Sequence, residues 1–212
     1  MPPLRLLLFF VFALLLLAFV QLGALGIAFE KLGLSPQRAG LLLGLTLFGS
    51  LVDLPLFSLA GDPAAPPFVD DDGREHRPAE RTGVAVNVGG CVVPVAFSAY
   101  LFAISPVQTA PVALAVAMMT LFSYSVSALL PGVGVVTPVL VVPLAAAFTG
   151  TLLDPENRAV LAYIGGTLGV LIGADLMRLK ELRGLGEARV SIGGAGSFDG
   201  IFVTGLLAVL IA

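Results

Sequence analysis

Stretches of about 20 mostly apolar residues constrain this chain more than any other feature, because a helix of that length spans the hydrocarbon core of a bilayer. Seven such stretches follow one another, near residues 4–28, 39–60, 86–104, 111–130, 135–153, 159–179 and 191–212. A soluble domain carries about 25% charged residues, whereas here only 12% are charged and 58% are hydrophobic. The expected fold is therefore all-α: a single polytopic membrane domain over residues 1–212, built as a bundle of about seven transmembrane helices. The proline-rich segment 131–143 predicts a broken or re-entrant element within it. Residues 6–18 after Arg5 imitate a signal peptide. The apolar run continues to Phe29 without a clear small-residue cleavage site, so a retained first span is expected.

The main polar interruption is 61–82, a Pro-rich, mixed-charge stretch expected to form an extramembrane loop. Its triplet Asp70, Asp71 and Asp72 lacks the spaced oxygen ligands and closing Glu of a calcium loop. His76, the only histidine, has no second His or Cys near it in sequence, so no metal site is expected. Cys91 is the only cysteine, which excludes an internal disulfide. The net charge of −3 offers no basic surface for nucleic acid, and no motif calls for a cofactor. Membrane lipid is the expected surrounding.

Lysine and arginine placement gives an orientation. Arg5, Arg74, Arg77, Arg81, Arg178, Lys180, Arg183 and Arg189 fall on one side of the seven spans; Lys31, Arg38 and Arg158 fall on the other. The positive-inside rule then predicts a multi-pass protein of the cell membrane with a cytoplasmic N-terminus and an external C-terminus.

Against this apolar background, two carboxylates stand out. Asp175 ends the run Gly165-Gly166-Thr167-Leu168-Gly169-Val170-Leu171-Ile172-Gly173-Ala174-Asp175, and Asp199 sits in Gly193-Gly194-Ala195-Gly196-Ser197-Phe198-Asp199-Gly200-Ile201-Phe202. A carboxylate within a membrane segment costs a few kcal/mol on insertion scales and is read by default as functional. Gly165, Gly169 and Gly173 share one helix face, where small residues allow close helix approach. Asp175 follows Gly173 by about 200° and points away from that face. The pair is expected as catalytic, because two close carboxylates share a proton and then act as acid and base, as in aspartic proteases. Gly196, Ser197, Phe198 and Gly200 would support the site. Helical geometry sets a condition: Asp199 lies ten residues after Arg189, about 15 Å of straight helix, and Asp175 only about 5 Å from Arg178. The two come level only if 190–196 is not a straight helix. A plainer alternative makes Ser197 or Asp199 a helix cap, and an anion nest at the glycines is a further one.

Asp53, beside Pro55, and Asn87, ahead of Gly89-Gly90 and Pro94, add polar groups near expected helix breaks. Transporters build midplane sites that way, so a proton or cation path through Asp53, Asn87, Asp175 and Asp199 is the second functional expectation. A non-catalytic membrane scaffold is the third.

Taken together, Gly49-Ser50-Leu51-Val52-Asp53-Leu54-Pro55-Leu56, Val86-Asn87-Val88-Gly89-Gly90-Cys91-Val92-Val93-Pro94, residues 162–176 and Ser191 to Phe202 resemble a family of uncharacterised prokaryotic integral membrane proteins, defined by a domain of unknown function. The resemblance implies that Asn often stands where this chain has Asp53. A weaker resemblance, to presenilin, signal peptide peptidase and the prepilin peptidases, rests on Gly196-Ser197-Phe198-Asp199. That family has Gly-x-Gly-Asp on a helix later than its first Asp; here Phe198 replaces the second glycine and Ala174, not Tyr, precedes Asp175. It implies intramembrane aspartyl peptidase activity on a transmembrane peptide, with Asp175 and Asp199 as the dyad.

Overall fold

The computed structural model describes residues 23–60, 68–69, 75–76, 81–130, 134–182, 189–194 and 200–212. Helices α1 (Ala24–Lys31) and α2 (Pro36–Gly49) lead into strand β1 (Asp53–Ala60). Strand β2 (Arg81–Asn87) runs into a π-helical turn, Val88–Val92, and then α3 (Val93–Ile104). After α4 (Thr109–Val126), a short hairpin pairs Ala128–Leu130 with Gly134–Val136. Next come α5 (Val141–Leu153) and α6 (Arg158–Val170), which continues as a second π-helical turn, Leu171–Leu176. The one-turn α7 (Leu179–Leu182), strand β3 (Arg189–Ile192) and α8 (Gly200–Ile211) follow. Two-residue strands, Phe68–Val69 and Glu75–His76, pair with each other between β1 and β2.

α6 is the axis of the bundle. Every residue from Val160 to Thr167 is buried, and α3, α4, α5 and α8 pack around it. The glycine stripe makes the closest of these contacts. A Cβ on Gly165 would lie 3.1 Å from Ala115 Cβ, one on Gly169 2.8 Å from the Met119 carbonyl carbon, and one on Gly173 3.0 Å from Tyr124 N. These contacts ascend together along both chains, so α4 and α6 run parallel at backbone distance. α5 runs antiparallel to α6, with Gly150 against Ala162 and Gly166 against Ala146. On the remaining sides, the Phe97 ring of α3 meets Tyr163 edge-on at 5.0 Å, and Gly205 of α8 lies against Tyr163 and Thr167.

Two cations hold helix C-termini, where free carbonyls and the helix dipole favour positive charge. Lys31 Nζ donates to Val209 O at 3.2 Å and Leu210 O at 3.3 Å at the end of α8. Arg178 donates to Tyr124 O at 2.7 Å and Ser127 O at 2.9 Å past the end of α4, with its guanidinium 4.5 Å from the Tyr124 ring centre.

The chain is mostly helical, as expected, but it is not all-α. One end of the bundle carries a three-stranded sheet in the order β1-β2-β3, antiparallel between β1 and β2 and parallel between β2 and β3. The apolar stretch 39–60 is therefore not one helix: it turns at Ser50–Val52 and continues as β1. Pro55 accounts for this, since proline breaks a helix interior but is tolerated in an edge strand at a bulge, and the register shifts between Pro55 and Phe57. The stretches 86–104, 135–153 and 191–212 likewise begin in strand before turning helical. β2 and β3 alternate: Thr82, Val84 and Val86 share a face with Val190 and Ile192, the period of a strand.

Among the described residues, two helices are long and apolar enough to cross a membrane, Thr109–Val126 and Arg158–Glu181. The first turns outward, with only 17% of its residues buried, and the second inward, with 72% of its most apolar 18 residues buried. Apolar side chains one and two turns apart are exposed on α2 (Leu41, Leu45, Phe48), α4 (Leu114, Met118, Leu121) and α5 (Leu144, Phe148, Leu152). Residues 4–22 of the expected first span and most of the loop 61–82 lie outside the described residues; the rest of that span falls in α1.

Candidate carboxylate site

The sheet end of the bundle gathers the polar groups. Asp53 opens β1 and is in register with Asn87, the last residue of β2. Asp53 Oδ1 accepts hydrogen bonds from Asn87 Nδ2 at 3.0 Å and from Ser191 Oγ of β3 at 2.6 Å. The same Asn87 amide donates to Ser50 O at 2.8 Å, and its Oδ1 accepts from Gly90 N at 2.8 Å. Asn87 is 3% exposed, and both ends of its amide are satisfied, as a buried polar group requires. It therefore joins the α2–β1 turn, β1 and the first π-helical turn through one side chain.

Glycines let these segments meet. A Cβ on Gly49 would lie 2.9 Å from Gly89 N, so the end of α2 and the π-helical turn touch backbone to backbone. Gly193 has φ +70°, a conformation other residues adopt at a cost, and a Cβ there would lie 2.7 Å from the Gly90 carbonyl carbon.

Asp175 lies in the second π-helical turn. π-turns concentrate at functional sites because the extra residue re-aims side chains. As its offset from the glycine stripe predicts, Asp175 does not face α4. Its Oδ2 accepts from Gly193 N at 2.9 Å, so the carboxylates of Asp53 and Asp175 grip the end of β3 two residues apart, at Ser191 and Gly193. The segment that enters the glycine run is strand and turn, so the straight helix that would have separated Asp175 from Asp199 in depth is absent there.

Asp53 and Asn87 thus form the end pair of the β1–β2 ladder rather than lying within helices. Gly196, Ser197, Phe198 and Asp199 lie outside the described residues; Gly200 is the first residue of α8. Ile201, which follows it, belongs to the same buried cluster as Leu171 and Ala174. Ser191 is a member of the site that sequence reasoning passed over. Its signal was the alternation Val190-Ser191-Ile192, which sets the hydroxyl on the face opposite the two β-branched residues. Among the described residues, no group of three or more His, Cys, Asp or Glu side chains is arranged to hold a metal.

No curated protein and no solved structure matches the chain. A family model described as a protein of unknown function (DUF1614) matches residues 47–211. That range takes in β1, both π-helical turns, Asp175, β3 and α8, and the chain belongs to this family.

Proposed function

We propose that this is a multi-pass membrane protein whose sheet end faces the cytoplasm, and that Asp175 and Asp199 form an aspartyl peptidase-like centre at that end of the bundle. Apolar stripes turned outward on α2, α4 and α5 support the membrane setting, since water would disfavour contiguous apolar surface of that extent. The alternation of the helices supports the orientation: 50–60, 81–87, 127–130, 134–140, 177–182 and 189–194 lie at one end, and the side chains of Arg81, Arg178 and Lys180 belong to it.

One observation carries the peptidase reading, the Asp175–Gly193 hydrogen bond. It brings the start of the glycine run to the level of Asp175. In the proposed chemistry a protonated carboxyl polarises the scissile carbonyl while its ionised partner activates water. Gly193 N holds one Asp175 oxygen and leaves the other to act. The test is cleavage of a transmembrane peptide in liposomes: Asp175→Asn and Asp199→Asn should each abolish it, because members of a coupled pair fail as a unit. Full cleavage by either variant, or none by the parent protein, would refute the reading.

A second reading, proton or cation transfer, draws on a different observation. The hydroxyls of Ser98 and Ser123 are buried and unpaired among the described residues, and those of Tyr163 and Thr167 are buried side by side. Tyr163 and Thr167 lie one turn apart on α6, the helix that leads to Asp175. Under this reading Asp53→Asn and Asp175→Asn reduce proton flux in liposomes while the parent protein shows no cleavage.

A further inference from the structure

The outer strand of the sheet has two faces of opposite character. Across β1 and β2 the register pairs Leu54 with Val86, Phe57 with Val84 and Leu59 with Thr82, and directly paired residues share a face. Val84 belongs to the buried cluster formed with Met119, Val142, Leu171 and Ala174. That face of the sheet therefore packs onto the helical bundle. β1, at the sheet edge, overhangs it: Leu54 is 47% exposed and Phe57 50% exposed. The opposite face of the same hairpin carries Ser58 and Arg81, joined by a hydrogen bond of 2.9 Å from Arg81 Nη2 to Ser58 Oγ at an exposed position.

We infer that the β1–β2 hairpin lies flat on the lipid bilayer at the boundary between headgroups and acyl chains, with Leu54 and Phe57 inserted. The inference rests on the membrane reading proposed above. Two observations fix the occupant as lipid and its depth as the boundary. The overhanging residues follow directly on the exposed apolar residues Phe48, Leu51 and Val52 that lead into β1. In addition, among the described residues the outer edge of β1 has no strand partner, and unpaired backbone groups are too costly for the hydrocarbon core. Apolar side chains that seek lipid and an open edge that needs water are both accommodated only at the interface, with Ser58 and Arg81 turned to the aqueous side.

The chain contains no tryptophan, so one introduced indole reports its own surroundings. Phe57→Trp and, separately, Leu54→Trp and Leu121→Trp are reconstituted in phosphatidylcholine vesicles containing lipids brominated near the headgroup end or deep in the acyl chain. Leu121, 66% exposed on α4, tests the membrane setting itself. The indoles at 57 and 54 should lose most of their emission to the shallow bromines, less to the deep ones, and resist aqueous acrylamide. Quenching of Leu121→Trp by lipid with acrylamide access at 57 and 54 would overturn the inference and leave the membrane reading standing. Protection of 57 and 54 from both kinds of quencher would overturn it too, showing protein over the strand. Failure of lipid quenching at all three positions would remove the membrane reading and this inference with it.

Discussion

Asn87 ties three chain segments with one amide, and its removal separates a stability role from a transport role. Asn87→Ala leaves Gly90 N and Ser50 O without their partner inside a buried junction, at about 1–3 kcal/mol for each unsatisfied group. Thermal unfolding in detergent should fall sharply. Asp53→Asn is a gentler change, because an amide oxygen still accepts from Asn87 and Ser191; the expected loss is about 1 kcal/mol. A large stability loss in Asp53→Asn would mean that the charge itself holds the junction. The contrast shows what was legible at this scale. The chemistry of Asp53 and Asn87 was visible, because polar groups stand out in apolar sequence. Their partnership was not, since it depends on a strand register that joins residues 34 apart along the chain.

At the scale of elements, the glycine stripe of α6 sets how closely α4 approaches. Gly169→Leu must push the Met119–Thr120 backbone away, and overpacking of that kind costs about 1–3 kcal/mol or more. Leu168→Ala, at a half-buried position, should cost less in the same detergent melt; equal effects would contradict the packing. Gly193→Ala should disturb two things at once, the positive φ and the approach to Gly90, and with them the hydrogen bond that fixes Asp175. The stripe was readable because helical period and small residues coincide. The strands were hidden for a physical reason: they sit inside longer apolar runs with few polar residues to mark a period, and such a run does not distinguish strand from helix. Pro55 and the alternation in 189–192 were the signals that separated them.

For the whole molecule, the central question is which way the sheet end faces and what it does there. In a background with Cys91 replaced by serine, Gly73→Cys should resist a membrane-impermeant thiol reagent added to intact cells and react once the membrane is opened. Labelling from outside would reverse the orientation and set the carboxylates on the external side. The up-down order of α4, α5 and α6 was legible from the spacing of the apolar runs, because short connections make successive helices antiparallel. The shortness of α5 and α8 was not, as their apolar runs include strand or turn residues that carry the same hydropathy.

The claim that the others depend on is the pairing of Asp175 with Asp199, and copper-catalysed cross-linking tests it directly. A disulfide forms without backbone movement only where Cα atoms lie within about 7 Å. In the serine-91 background, Leu54→Cys with Val86→Cys supplies the reference pair, since those residues are directly opposed across β1 and β2, where Cα atoms lie about 4.5–5.5 Å apart. The account predicts that Asp175→Cys with Asp199→Cys cross-links as completely as the reference. Free thiols at 175 and 199 under conditions that fully oxidise the reference pair would contradict it.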